Sequence, residues 1–150
     1  MILNNFEEFL RKGVVKKAFS DNFRINSIIN EAERKLVFLK RDMLGKVGIV
    51  EDNSNDFIEK MYDILIELIR AKMLKNGFKA QGDGAHEAEV SYMRKIGFSE
   101  TDVSFMNELR FFRNGIKYYG KRMDKEYAEK VLKFLNKLYP ILKKTLNKLK

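Results

Sequence analysis

The chain predicts an all-α fold: an antiparallel four-helix bundle with an extra N-terminal helix and a short connecting helix. Three observations lead there. Apolar residues recur at steps of three and four along nearly the whole sequence, as on helices that bury one face. A single proline in 150 residues is too few for the turns of a loop-rich β fold. Four of the periodic stretches are long, and four long amphipathic helices with short connections form a bundle core.

The first helix is expected over 5–19, where Asn4 and Glu7 have capping-box spacing and Phe6, Leu10, Val14 and Ala18 share a face. Ser20 or Asp21 caps the second, whose stripe is Ile25, Ile28, Ala32, Leu36, Leu39 and Met43. The segment LGKVGIVEDN interrupts the pattern with two glycines. Asn53 or Ser54 opens the third helix. It sets Phe57, Met61, Leu65 and Leu68 on one face and Asp63, Glu67 and Arg70 on the other, where water is expected to solvate them. Asn76-Gly77 stops it, because both residues tolerate the left-handed conformation.

FKAQGDGAH reads as a loop, followed by a short helix with Val90 and Met93 inward and Gly97 at its end. F-S-E-T-D then gives a second capping signal, with Ser99 and Asp102 three apart. The helix it opens carries Phe105, Leu109, Phe112, Ile116 and Tyr119 on its stripe. The last helix starts near Asp124 and places Ala128, Val131, Leu135, Leu138, Leu142 and Leu149 inward. Pro140 falls inside that pattern and predicts a kink or a restart.

One domain over 1–150 accommodates all of this, and such a length removes roughly 70% of the unfolded surface on folding. There is no cysteine, so neither a disulfide framework nor a thiolate metal site is available. No apolar run approaches the roughly 20 residues that cross a bilayer, and the N-terminus lacks a signal-peptide pattern. A cytoplasmic protein away from membranes is the expectation.

The net charge of +9 is uneven: residues 121–150 hold ten Lys/Arg against three Asp/Glu, a net +7. A basic face attracts nucleic acid or an acidic partner, and it is also what a lysine-rich solvated helix looks like.

Familiar catalytic patterns are missing. His86 is the only histidine, and HEAEV has no second His four residues on, so no zinc-protease helix is present. GDGAH lacks the Lys-Ser/Thr ending of a phosphate loop. The carboxylates four apart at Asp63 and Glu67 lack the Glu-x-x-His pairs of a di-metal bundle. Neither a metal nor a cofactor is expected.

What remains is RFFRNGIKYYG, residues 110–120. At about 100° per residue, Arg113 lies at the edge of the buried face, where a guanidinium is partly desolvated. Arg110, Arg113, Lys117 and Lys121 form a basic stripe able to hold a phosphate backbone. Spacing alone favours the plainer reading, in which Arg113 pairs with a carboxylate on a neighbouring helix and orders the bundle.

RNGIKYYG resembles the motif of HEPN domains, small helical-bundle proteins of bacteria and archaea. Their motif is an Arg, four to six further residues and a His, with Asn often following the Arg, as Asn114 follows Arg113. GFKAQGDGAHEAEVSYM looks like the short connecting helix before the motif helix in several such families. The likeness covers about residues 20–150, leaving the N-terminal helix as an addition. It implies a dimeric, metal-independent ribonuclease or toxin component, often encoded with a nucleotidyltransferase-type antitoxin. In that chemistry a ribose hydroxyl attacks the adjacent phosphorus, a His moves protons and an Arg stabilises the negative charge.

By the resemblance Arg113, Asn114 and Tyr118 occupy the catalytic positions. Arg110, Lys117, Tyr119 and Lys121 are the expected contacts to nucleic acid. Tyr118 stands where the family keeps its His, and a phenol with pKa near 10 is a poor base at neutral pH. Residues five apart also point about 140° apart on a straight helix. The expectation is therefore a homodimer that binds RNA or a nucleotide phosphate beside its dimer cleft, with cleavage weak or lost. The alternative is a non-catalytic module that partners a nucleotidyltransferase-type protein.

Overall fold

The computed structural model describes residues 2–19 and 21–146. Its elements in chain order are α1 (Phe6–Arg11), β1 (Val15–Lys17), α2 (Asn22–Phe38), α3 (Ser54–Lys75), β2 (Phe78–Ala80), α4 (Ala85–Ser91), α5 (Met93–Ile96), α6 (Glu100–Tyr119) and α7 (Lys125–Leu146). The chain is mostly helical. Ser20 and Leu149, expected as a cap and a stripe residue, lie outside the described residues.

Helix α3 is the axis of the core, and α2, α4, α6 and α7 all pack on it. The expectation of one wet face does not hold for it. Ile58, Tyr62, Ile64, Ile66, Ile69 and Leu74 are buried as well as Phe57, Met61, Leu65 and Leu68. A helix apolar on all sides belongs in an interior. The three residues expected on the wet face are paired instead: Asp63 with Arg113, Glu67 with Lys35, and Arg70 with Glu89.

The N-terminal segment departs most from expectation. Its helix ends at Arg11, and the Asn5 side chain, rather than that of Asn4, accepts from the Glu8 amide at 3.0 Å. Gly13 turns the chain with φ 79°, a left-handed value that disfavours other residues. The β-branched pair Val14-Val15 then leads into β1, which pairs antiparallel with β2, matching Val15 with Ala80. Val15–Lys17 of the expected first helix and Phe78–Ala80 at the start of the expected loop are thus strands. Phe6, Phe9, Val15, Met73, Ala88 and Tyr92 form a small second core, and Arg94 pins the segment by donating to the carbonyls of Leu3 and Asn4.

The remaining boundaries follow local chemistry. Asp21 caps α2 by accepting from the Arg24 amide at 3.2 Å. The helical path continues in wider turns over Leu39–Val47, so LGKV is not a break, and Gly48 (φ 79°) ends it. Gly77 and Gly97 close their helices with φ of 87° and 108°. The Ser99 hydroxyl accepts from the Asp102 amide at 3.2 Å and opens α6. Asn55 fixes the turn after α6, donating to the Lys121 carbonyl and accepting from the Met123 amide, each at 2.9 Å. Helix α7 runs unbroken through Pro140 and buries Ala128, Val131, Phe134, Leu135, Leu138, Leu142 and Leu146. Part of its positive charge is matched locally, Lys137 by Asp102 at 2.8 Å and Lys143 by Glu33 at 3.1 Å. Among the described residues no helix is long and apolar enough to cross a membrane.

Candidate functional site

The buried face of α6 is Val103, Met106 and Leu109. Beyond Leu109 the helix leaves the core, and Phe112 and Ile116 are only half-buried. Tyr119, expected in the core, is 85% exposed, because it is the last residue of α6, beyond the stretch of the helix that is buried against the core. This departure from the core opens a cleft of about 250 Å³ between the end of α6 and the segment leading into α4. Arg110, Arg113, Asn114 and Tyr118 line one side, and residues 82–87 line the other.

Arg113 sits at the head of the cleft. Its side chain is 11% exposed, in keeping with the edge position expected from helical spacing. The guanidinium carbon lies 5.3 Å from the ring centre of Tyr62, a fully buried α3 side chain, within the range of a cation–π contact. One terminal nitrogen is 3.4 Å from Asp63 Oδ1, and the buried Nε has no hydrogen-bond partner among the described residues. Arg110 is similar. It donates from Nε to Asn107 Oδ1 at 3.0 Å, and its nearest ion-pair distance, to Glu87, is 3.9 Å.

Arg70 provides the contrast. It holds the buried Glu89 with two hydrogen bonds, at 2.6 and 3.1 Å. Charge-assisted pairs of that kind close to about 2.7–2.9 Å, so Arg70 braces the fold. Arg110 and Arg113 stop short of that closure and keep donor capacity for something else.

The one histidine is drawn into the same place. His86, at the start of α4, lines the cleft, and its Nδ1 lies 3.0 Å from the Tyr62 hydroxyl, with the two rings stacked at 5.9 Å. Nothing in the sequence joins residues 62, 86 and 113. The contact arises because the strand pair and the Gly82–Gly84 turn fold back over α3. Burial lowers the His86 pKa to about 4, with Arg70, Arg113 and Arg110 adding to the effect and Asp63 opposing it. The ring is neutral at pH 7. Tyr62 moves the other way, since burial, reinforced by Glu89, pushes its phenol well above the ordinary value. A buried phenol O–H needs an acceptor, and the neutral Nδ1 is the one within reach. The proton of His86 is then on Nε2, and His86 becomes a second donor rather than a base.

The other expected contacts are placed as follows. Asn114 and Tyr118 both border the cleft with Arg113, although α6 is a regular helix there and residues five apart diverge along it. Tyr118 is 64% exposed and stands at the lip. Lys117, Lys121 and Tyr119 lie outside the lining. Lys117 Nζ sits 5.7 Å from the Tyr118 ring centre and Lys121 Nζ 4.6 Å from that of Phe112. The basic stripe therefore divides: its two arginines face the cleft and its two lysines lie on aromatic rings beside it. Asp83 and Glu87 also line the cleft, so its arginines are partly balanced. Among the described residues no three His, Asp or Glu side chains gather as metal ligands.

Compared with known proteins, the chain matches no protein-family model, no curated protein and no solved structure.

Proposed function

We propose that this protein is a HEPN-like four-helix bundle, with α2, α3, α6 and α7 as its helices, that binds RNA or a nucleotide phosphate in the Arg113 cleft. Cleavage is weak or absent. One observation carries the reading: Arg113, the first residue of the RNGIKYYG motif, lies almost buried on the wall of an open cleft, loosely paired at 3.4 Å, with the only histidine of the chain in the same cleft. An arginine serving the fold alone would be satisfied as Arg70 is.

In this reading Arg113 and Arg110 grip phosphate oxygens, Asn114 and His86 Nε2–H donate to them, and Tyr118 stacks on a base. His86 lines the same cleft as Tyr118, the residue that stands at the motif's His position by the resemblance. An imidazole with a pKa near 4 is nevertheless a weak base, and one whose Nε2 already carries the proton accepts none there. Binding is thus favoured over catalysis. The exposed Phe111, Tyr118 and Tyr119 offer apolar surface for a second copy, consistent with a homodimer in the cytoplasm.

A second reading draws on Asp83 and Glu87. With carboxylates beside its arginines, the cleft also suits a peptide surface bearing both charges, as in a complex with a nucleotidyltransferase-type protein.

The deciding experiment incubates purified protein with single-stranded and structured RNA in EDTA, beside Arg113→Ala and His86→Ala. The expected result is salt-sensitive binding that Arg113→Ala reduces at least tenfold, with little cleavage by any form. Binding unchanged by Arg113→Ala would remove the cleft from the function.

A further inference from the structure

A second cleft of about 300 Å³ adjoins the first. The two share Gly82, Ala85 and His86. Arg24, Arg70, Lys79 and Gln81 are the other charged and polar side chains lining it, together with Glu89, its single carboxylate. Glu89 is 2% exposed and engaged by Arg70, so it does not offset the other cations. Arg24 and Lys79 have no carboxylate within ion-pair distance among the described residues. The nearby Asp21 turns its carboxylate to the Arg24 backbone amide.

We propose that this second cleft is a phosphate subsite, in which Arg24 and Lys79 take the neighbouring phosphate of the same RNA strand whose first phosphate lies at Arg113. The proposal rests on the reading of the Arg113 cleft given above and extends it from a nucleotide to a strand.

The ridge between the clefts is built for a chain to cross. Gly82 has φ 75°, and a Cβ placed there would meet no atom within 4 Å, so it opens on free space. Ala85 adds one methyl group, and the His86 ring is half-buried. A strand crossing here meets backbone and small side chains rather than a wall. Positive potential also continues over the ridge. Arg70 lines one side of the His86 ridge and Arg110 and Arg113 the other. Charge decides how the two clefts divide the work. Asp83 and Glu87 balance the arginines of the first cleft, whereas the second carries a surplus. The first cleft then positions one nucleotide, and the second supplies much of the strand's affinity and salt dependence.

The test measures fluorescence anisotropy of a short labelled single-stranded RNA between about 50 and 200 mM salt, with uridine monophosphate as a competitor. The double variant Arg24→Gln/Lys79→Gln is expected to weaken RNA binding about tenfold and flatten the salt slope by about 0.7, the value of one single-strand phosphate contact. Its affinity for the mononucleotide stays at the wild-type value. Arg113→Gln weakens both ligands. An unchanged salt slope in the double variant overturns the subsite, as does an equal loss for RNA and mononucleotide. If Arg113→Gln changes nothing while the double variant flattens the slope, the reading of the Arg113 cleft falls and the second cleft stands as a phosphate site by itself.

Discussion

The Tyr62 hydroxyl lies 3.0 Å from His86 Nδ1, joining the most buried helix of the protein to the rim of its cleft. Because Tyr62 is fully buried, its proton has to go to an acceptor, and Nδ1 supplies one only while the imidazole is neutral. The bond therefore helps to keep His86 uncharged. Removing it in Tyr62→Phe is expected to raise the His86 pKa from about 4 by up to about one unit, the equivalent of a neutral hydrogen bond of about 0.5–1.5 kcal/mol. An NMR titration of the single imidazole reads this directly. A downward shift would mean that His86 Nδ1 donates to the phenol, leaving Nε2 as a potential base.

The same histidine couples folding to pH. Its pKa is about 4 when folded and near 6.5 when unfolded, so between these values the unfolded chain binds more protons. Stability therefore rises with pH across roughly 4 to 6.5, and below that window the loss is complete. Because the ring is partly open to water, we expect about 1–2 kcal/mol over the window rather than the larger figure that full burial would give. Denaturant melts of His86→Gln beside the wild type isolate the effect, since the difference between the two curves should change within that window and be flat above it.

How much of this was legible from sequence depended on the range of the interactions. Local chemistry was readable: the caps at Asp21 and Ser99 and the stops at Gly77 and Gly97 are where short-range rules put them. The edge position of Arg113 also followed from helical spacing. The periodic stripes on α3 and α6 misled. On α3, one good stripe hid the fact that MYDILIELI is apolar on its other sides too, and that was the available signal for a central helix. On α6, Tyr119 fits the stripe but lies beyond the point where the helix still has a neighbour to pack against. The partnership of residues 62, 86 and 113 left no trace in sequence, because it depends on how a glycine turn and a two-stranded ribbon lie over a helix.

Arg70 and Glu89 differ in exposure, 33% against 3% for their side chains, and this predicts an asymmetry. Arg70→Ala leaves a carboxylate buried without its counter-charge, a change that typically costs about 3–5 kcal/mol. Glu89→Ala leaves an arginine that can still reach water, and about 1–3 kcal/mol is expected. Burial already raises the Glu89 pKa against the pull of Arg70, and without Arg70 it rises further. A carboxyl whose folded pKa lies above its unfolded value contributes stability at low pH and loses it as pH rises through the folded pKa. Arg70→Ala should thus be mildest in acid and most damaging at neutral pH. A cost independent of pH would show that Glu89 stays charged without its partner.

Tyr118 stands at the lip of the cleft, 64% exposed. A phenol there offers two separate things, a flat ring and a hydroxyl, and two substitutions tell them apart. If the ring stacks on a base, Tyr118→Phe binds single-stranded RNA as the wild type does, while Tyr118→Ala loses about 1–3 kcal/mol, roughly a factor of 5 to 150 in affinity. If the hydroxyl serves a phosphate oxygen, Phe and Ala weaken binding alike. We expect the first pattern, because Arg113, Arg110 and His86 already supply the donors and an exposed ring beside them is the part they lack. The stability of both variants should stay within about 0.5 kcal/mol of the wild type, since a side chain this exposed contributes little to the core. That separation lets changes in affinity be assigned to the lip of the cleft.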